Sequence, residues 1–284
     1  MKKLDEMNLL DDFLVNSLMS HNVYGERASR YILECILHRK LGKLIVVPQK
    51  FIVGEDTESH GVRLDIYLDE ENGEIFDIEP DRNDGKDDIK ALPRRARFYH
   101  AKIDAENLES GESYNKLRNV LVIFITSYDP FGRERMVYTI QNKCVEEPDL
   151  LYEDGAKSIF LYTKGTKGNP PEELLGLLHY MEDPSDENAQ TEGLKSLHKM
   201  VTEVKRDREV GLAYMKSFER EQKIRKQGWA EGRAEGRAEG RAEGRAETLH
   251  KMLEAQLDVE IILKAGFTRE EIDAVGMNTA SSGN

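Results

Sequence analysis

The chain has 284 residues, and its 41 Lys and Arg against 54 Asp and Glu give a formal net charge of −13. This acidic balance argues against broad non-specific nucleic-acid affinity, which depends on basic side chains that neutralise phosphates, but it leaves room for a local basic groove. Cys35 and Cys144 are too few for a disulfide framework or a thiolate metal cage, which favours a reducing, cytoplasmic location. We expect no signal peptide and no membrane-spanning helix, since no segment approaches ~18 consecutive apolar residues.

The N-terminal part predicts two helices and then an extended segment. Apolar residues recur at helical spacing in residues 8–40, with Ile32 and Ile36 one turn apart on the second helix. The run KLIVVPQKFIV that follows is extended. Pro48 restricts this segment to an edge strand, because proline cannot donate a ladder hydrogen bond.

Residues 61–81, GVRLDIYLDEENGEIFDIEPD, predict a β-hairpin with one acidic face. The apolar pattern favours a loop at 71–73 over a tight Asn-Gly turn, since a shift of one residue would move every side chain to the other face. In this register Leu64, Ile66 and Leu68 share the apolar face with Phe76 and Ile78. The other face then carries the pairs Tyr67–Asp77, Asp65–Glu79 and Arg63–Asp81.

The acidic face raises the question of a metal site. Asp65 would lie directly across from Glu79, with Cβ atoms roughly 5 Å apart, and like charges in that position destabilise a sheet unless they are neutralised. A divalent cation is one neutraliser, because Mg²⁺ typically binds one or two carboxylates plus waters. The alternative is a solvated acidic face, with Arg63 offsetting part of the repulsion.

The segment after the hairpin predicts a crossover. A helix is expected to begin at Pro93, which suits a first helical turn, and to end near Leu108. NVLVIFITSYD is a continuous apolar run, typical of a strand buried on both faces, and the helix would make this strand parallel to the second hairpin strand. Two further strands are expected in RMVYTIQNKCV and KSIFLYTKG. The predicted fold class is α/β, with a small α+β mixed sheet flanked by helices.

Three arginines follow the hairpin at the expected start of this helix. Arg94, Arg95 and Arg97 would lie in its first turns, where the macrodipole disfavours cations. Free N–H groups at that end and the bidentate guanidinium both suit an anion, which favours a DNA- or phosphate-binding role. An equally open alternative is that Arg94 and Arg95 pair with the acidic loop 84–88.

The C-terminal part is expected to add three segments to a main domain at 1–185. Residues 186–228 predict a long amphipathic helix that either packs on the main domain or forms a homodimer as a coiled coil through 191–227. Its heptad positions are Leu194, Leu197, Val201, Val204, Met215 and Phe218. The four-residue AEGR repeat at 229–247 predicts a spacer, with close helix approach at its glycines as the alternative. Residues 248–284 predict a small helical tail, with Asp258 and Thr268 as caps; its acidic second helix favours packing or dimerisation over DNA contact.

Three segments resemble, in the same order along the chain, the Rpn family of recombination-promoting nucleases and transposases, within the PD-(D/E)XK nuclease superfamily. They are GVRLDIYLDEENGEIFDIEP, LPRRARFYHAKIDAENLESGESY and VLVIFITSYDPFG. The tail, AYMKSFEREQKIRKQGWAEGRAEGRAEG, resembles the variable glycine-rich repeats of that family, so the resemblance covers roughly residues 8–245. It implies a restriction-endonuclease-like αβββαβ core and DNA cleavage that depends on Mg²⁺, with Mn²⁺ as a substitute. Carried over by position, Asp65 and Glu79 are the two metal-binding carboxylates, and Glu34 is the acid that some members add on the preceding helix.

The resemblance breaks at Asp81. At two residues after the second carboxylate, members of the superfamily have lysine and members of this family usually have glutamine. This chain has Asp81 there, which adds negative charge. Arg63 could neutralise Asp81, Arg95 or Arg97 could supply the missing cation, or Asp81 could be a third metal ligand with a catalytic role. The function hypotheses are therefore a metal-dependent DNA endonuclease, a catalytically inactive nuclease-fold protein that binds DNA or protein and self-associates, and an interaction partner whose carboxylate pair is purely structural.

Overall fold

The computed structural model describes residues 2–52, 61–71 and 73–274. By its internal contacts the chain divides into two units, Met1–Tyr214 and Met215–Asn284. The first unit contains the sheet and the helices around it. The second consists of helices alone in its described part.

The first unit is built on one mixed sheet of six strands, with the order β1-β2-β3-β4-β6-β5. β1, β2 and β3 form an antiparallel meander, β4 and β6 continue the sheet in parallel to β3, and β5 returns antiparallel beside β6. The strands are β1 (Leu44–Ile52), β2 (Val62–Glu70), β3 (Ile75–Asp81), β4 (Val120–Thr126), β5 (Val137–Gln141) and β6 (Ala156–Tyr162). The helices are α1 (Asp12–Met19), α2 (Gly25–Leu37), α3 (Lys86–Glu106), α4 (Glu172–Glu182) and α5 (Glu192–Arg206). The order α2-β1-β2-β3-α3-β4 is the predicted αβββαβ core.

Helices cover both faces of this sheet. On one face, α1, α2, α4 and α5 pack on alternate apolar residues of the central strands, including Phe76, Ile78 and Ile123. On the other face, α3 packs on Val122 and Phe124. All positions of β4 are buried, as its continuous apolar run predicts.

The predicted register of the hairpin is confirmed from Ile66 to Leu68, but the predicted pairs Asp65–Glu79 and Arg63–Asp81 are not part of the observed ladder. Ile66 pairs with Ile78 and Leu68 with Phe76, as the apolar pattern required. Leu64, however, does not share their face, because it belongs to the apolar cluster under α3. The alternation of side chains is therefore interrupted between Leu64 and Ile66. At the matching position of the edge strand β1, Gln49 has a φ of 51°, a backbone conformation outside the extended region.

The crossover helix starts earlier than predicted. α3 begins at Lys86, with Gly85 as its N-cap, and the Ile89 N–H donates to the Gly85 carbonyl at 2.9 Å. Pro93 therefore lies inside the helix and not in its first turn, an arrangement that removes one backbone hydrogen bond. It follows that the arginines at 94, 95 and 97 are far from the free N–H groups of the helix N-terminus. The phosphate-binding argument based on that N-terminus is wrong.

The long helix predicted over 191–227 is divided in two. α5 ends at Arg206 and α6 (Arg208–Glu254) begins after Asp207, whose backbone is extended and whose carboxylate accepts hydrogen bonds from the first N–H groups of α6. The heptad residues of α5 are buried in the core of the first unit. They are unavailable to a coiled-coil seam, so packing on the main domain is the correct alternative for this part of 191–227.

The second unit contains the rest of α6, α7 (Val259–Lys264) and a further helical segment at 269–274. Its small core consists of Leu249, Ile262, Phe267 and Ile272. The predicted caps are present: Asp258 accepts a hydrogen bond from the Glu260 N–H, and Thr268 and Glu271 form a reciprocal capping box. Residues 275–284 of the predicted tail lie outside the described residues. Along the described ranges, no helix combines the length and apolar character that crossing a membrane requires.

The position of α5 in the core can be tested by stability. Leu197 is fully buried and Leu212 is 50% exposed. Leu197→Ala should lower the free energy of unfolding by about 2–4 kcal/mol, through lost burial and a cavity, while Leu212→Ala should change it by less than about 0.5 kcal/mol. Urea unfolding of both variants measures this, and equal effects would show that α5 does not pack as described.

Candidate functional site

An open cavity of about 560 Å³ lies where the end of β3 and the start of β2 approach α1 and α3. Charged side chains dominate its lining. The acids are Asp11, Asp12, Asp65, Glu79 and Asp81, and the cations are Arg63, Arg82 and Arg95.

Asp65 and Glu79 meet just beyond the last ladder pair of the hairpin, Ile66–Ile78. The Asp65 N–H donates to Glu79 Oε1 at 2.8 Å, and the two residues are only 8% and 3% exposed. Asp65 lies at the interruption of alternation between Leu64 and Ile66, where its own N–H has become a donor to the opposite side chain. The predicted juxtaposition of two carboxylates is therefore present, and it is buried, in contrast to the solvated alternative.

Burial and mutual repulsion disfavour the charged forms of these acids. Burial raises the pKa of Glu79 to about 8, and the nearby Asp65 adds to this effect. Burial and the charge of Asp12 raise the pKa of Asp65 to about 6, against the opposing effect of Arg63 and Arg95. Without a further cation, the site therefore favours the protonated form of Glu79 at neutral pH.

Asp77 extends this acidic group into the core. Its side chain is fully buried, and in the described part of the chain its carboxylate oxygens have no hydrogen-bond partner other than the carboxyl group of Glu79. Burial, together with the charges of Glu79 and Asp65, raises the pKa of Asp77 well above its usual range. The sequence pattern placed Asp77 on the acidic face opposite Tyr67 but gave no reason to expect complete burial there.

The helical acid of the site is Asp12 and not Glu34. Asp12 opens α1 and lines the cavity, where burial raises its pKa despite the opposing charge of Arg63. Glu34, on α2, is held elsewhere: Lys40 Nζ lies 2.7 Å and Arg30 Nη1 3.9 Å from its carboxylate, which also accepts the Leu41 N–H. The predicted metal-binding role of Glu34 does not agree with this position. Two consecutive acids at the start of a helix were the available signal for Asp12.

Arg95 supplies the cation beside Asp81. Its Nη2 lies 2.8 Å from Asp81 Oδ2 and 3.7 Å from Glu79 Oε2, and its guanidinium stacks over the Phe124 ring. The other Asp81 oxygen accepts the Asn83 N–H at 2.7 Å. Among the alternatives stated for this position, the geometry thus favours Arg95 as the cation, and Arg95 also neutralises Asp81.

The other predicted basic residues do not share this position. Arg94 and Arg97 are exposed on α3, and Arg63 is exposed at the cavity. Tyr99, one turn after Arg95 on α3, lines the cavity and hydrogen-bonds to Glu79. Tyr99 was not singled out from the sequence. A residue one helical turn beyond a site arginine was the signal that could have found it.

The donor set suits a hard divalent cation held by few protein ligands. Among the described residues, no group of three or more His, Cys, Asp or Glu side chains is arranged to hold a metal ion. Asp65 and Glu79 remain as a pair of buried carboxylates with incomplete charge compensation, since Arg95 is closer to Asp81. Two carboxylates plus waters are the usual environment of Mg²⁺ in proteins, so the residues fit such an ion.

Comparison with known proteins gives the class of the chain. The sequence pattern of the family described as PD-(D/E)XK nuclease family transposase matches residues 10–153, from just before α1 to beyond β5. The chain belongs to this family of nuclease-fold transposases. No curated protein and no solved structure matches it.

The raised pKa of Glu79 predicts a pH dependence of stability without metal. Because the folded-state pKa of about 8 exceeds the ordinary value of 4.5, the folded protein binds more protons between these values. The stability that Glu79 contributes is then fully present below about pH 4.5 and is lost as the pH rises toward 8. Glu79→Gln should flatten this decline, as measured by urea unfolding in EDTA across the range. The same slope in both proteins would contradict the assignment.

Proposed function

We propose that this protein is a metal-dependent DNA endonuclease of the Rpn type, which hydrolyses phosphodiester bonds in recombination or in the movement of mobile elements. The observation that carries the proposal is the buried Asp65–Glu79 pair beside the Arg95–Asp81 ion pair, in a cavity open to solvent. Membership of the nuclease family supports the same conclusion.

In this mechanism Asp65 and Glu79 would hold one divalent cation, Mg²⁺ or Mn²⁺, while Asp12 adds negative potential at the rim. The chemistry supplied by such a cation is Lewis-acid polarisation of the phosphodiester and a lowered pKa of water. Tyr99 orients the Glu79 carboxylate through its hydroxyl. The exposed Arg63, Arg94 and Arg97 contact the DNA backbone by charge, which compensates locally for the net acidity of the chain.

Arg95 performs the electrostatic part that lysine or glutamine has in related sites. Its guanidinium reaches the site from α3, whereas the lysine or glutamine of related sites belongs to the strand. Arg95 also neutralises Asp81, so that this aspartate does not repel the scissile phosphate. A guanidinium fixed by stacking and by a carboxylate requires little reorganisation to face developing negative charge.

The second candidate function is a catalytically inactive nuclease-fold protein that binds DNA or protein. The close Arg95–Asp81 pair favours it, because an arginine already satisfied by a carboxylate has less charge to offer a phosphate. The two candidates differ in one result: the inactive protein does not cleave DNA, whichever divalent metal is added.

The metal site can be tested by removing one carboxylate. Asp65→Asn keeps the side-chain shape but removes the charge, so it should abolish both Mn²⁺ binding and the cleavage of supercoiled plasmid. Glu71→Gln is the matched control, since Glu71 is a half-exposed acid of the same hairpin. Cleavage by Asp65→Asn at the wild-type rate would place the active site elsewhere, and no cleavage by the wild type would support the inactive candidate.

The role of Arg95 can be separated from its role in stability. Arg95→Met should lower the cleavage rate by about 100-fold or more, whereas Lys90→Met, an exposed cation of the same helix, should leave it unchanged. Adding Asp81→Asn to Arg95→Met removes the unpaired buried charge, so it should restore thermal stability without restoring cleavage. Recovery of cleavage in the double variant would mean that Arg95 only compensates Asp81.

A further inference from the structure

The strands β1 and β2 turn over together at one point of the sheet. In β2, Leu64 belongs to the apolar cluster under α3, whereas Ile66, two residues later, belongs to the cluster on the opposite face. In β1, Val46 packs on the same cluster as Ile66, whereas Ile52 belongs to the cluster under α3. The members of each pair are an even number of residues apart, so regular alternation would keep them on one face of the sheet.

The point of reversal lies at one residue in each strand. Intact ladder pairs flank it, so the two strands stay in register: Pro48–Ile66 on one side and Lys50–Leu64 on the other. Gln49 of β1 and Asp65 of β2 lie between these pairs, and the ladder omits both of them. The two strands therefore reverse their faces at Gln49 and at Asp65.

Gln49 has a backbone conformation that accounts for this reversal. Its φ of 51° lies in the left-handed region, and within the described strands it is the only residue with a positive φ. A non-extended residue shifts the phase of side-chain alternation, and strand irregularities of this kind re-aim side chains next to active sites. A left-handed backbone is unfavourable for a residue with a side chain, and it persists where the surrounding structure fixes it. The Gln49 side chain is exposed, so its own packing does not account for this conformation.

The reversal also opens the candidate site. The β2–β3 ladder ends at Ile66, next to the point of reversal, and the Asp65 N–H donates to Glu79 Oε1 at 2.8 Å. Regular alternation would continue this ladder into the pairs Asp65–Glu79 and Arg63–Asp81 that the sequence pattern predicts. These four residues line the cavity instead. The cavity therefore begins where the two strands turn over.

We infer that Gln49 is a positioning residue of the candidate metal site: its left-handed backbone turns β1 and β2 over and directs the Asp65 carboxylate into the cavity. The inference rests on the proposed function and adds to it a residue of the edge strand that does not itself line the cavity. Gln49 acts through its main chain, since its side chain is exposed. Position 49 should therefore accept residues that tolerate a positive φ and reject β-branched residues.

Two glutamines with almost the same backbone conformation provide a matched test. Gln256, in the second unit, has a φ of 54° and is likewise exposed. Gln49→Val should raise the dissociation constant for Mn²⁺ by about tenfold or more, because valine disfavours a positive φ and so loosens the reversal. Gln256→Val imposes the same backbone cost elsewhere and should leave the Mn²⁺ affinity unchanged. Calorimetric titration of the full chain, below the Tm of each variant, measures both.

A glycine variant separates the main chain of Gln49 from its side chain. Glycine adopts a positive φ as readily as a negative one, so Gln49→Gly should bind Mn²⁺ with the affinity of the wild type. A loss of affinity as large as that of Gln49→Val would assign the effect to the glutamine side chain. That result would overturn the inference.

Exchange of the Asp65 amide proton tests the same inference without metal. In EDTA, Gln49→Val should speed this exchange about tenfold or more, because the N–H is held on Glu79 by the reversal, and Gln256→Val should not. Hydrogen exchange of the full chain, followed by NMR, measures this.

The two readouts separate this inference from the proposed function. If the wild type binds no Mn²⁺, the proposed metal site fails, and amide exchange alone decides the role of Gln49. If the wild type binds Mn²⁺, both effects are required, and unchanged affinity or unchanged exchange in Gln49→Val would overturn the inference.

Discussion

Burial of two facing carboxylates is the constraint on which the rest of the site depends. The main-chain N–H of Asp65 binds the Glu79 carboxylate, and both side chains are almost completely removed from water. Such an arrangement is unfavourable for a protein that gains nothing from it, because burial and like charge both oppose ionisation. Within the fold, Arg95 offsets part of this charge from α3. The remaining excess of acidic over basic groups, which leaves Glu79 protonated in the absence of metal, is the strongest physical argument for a cation.

The architecture explains how that excess is tolerated. β3 is flanked by β2 on one side and β4 on the other, and helices cover both faces of the sheet, so the apolar core fixes the hairpin register regardless of the acids. The early start of α3 then matters for chemistry. Had the helix begun at Pro93, Arg95 would lie in its first turn. Because it begins at Lys86, Arg95 lies in its interior, and from there it stacks on Phe124 and reaches Asp81.

Much of this arrangement could be predicted from the sequence, and the failures have physical causes. The hairpin register followed from apolar alternation, because a shifted register would pair Ile66 and Phe76 with polar residues of the opposite strand. The start of α3 was missed because Pro93 is a favourable first-turn residue, and tertiary packing overrode that preference. Glu34 was carried over from the family resemblance and Asp12 was missed, because nothing in a sequence shows which helical acid faces the sheet edge. The burial of Asp77, finally, depends on α3 covering that face, which alternation alone does not reveal.

Proton release on metal binding tests the central claim most directly. With a pKa of about 8, Glu79 is largely protonated at pH 7 in the metal-free protein, and a carboxylate must lose its proton to bind a cation. Calorimetric titration with Mn²⁺ in buffers of different ionisation enthalpy counts the protons released. The account predicts release of about one proton at pH 7, and less in Glu79→Gln. Binding without proton release, or no binding at millimolar Mn²⁺, would contradict it.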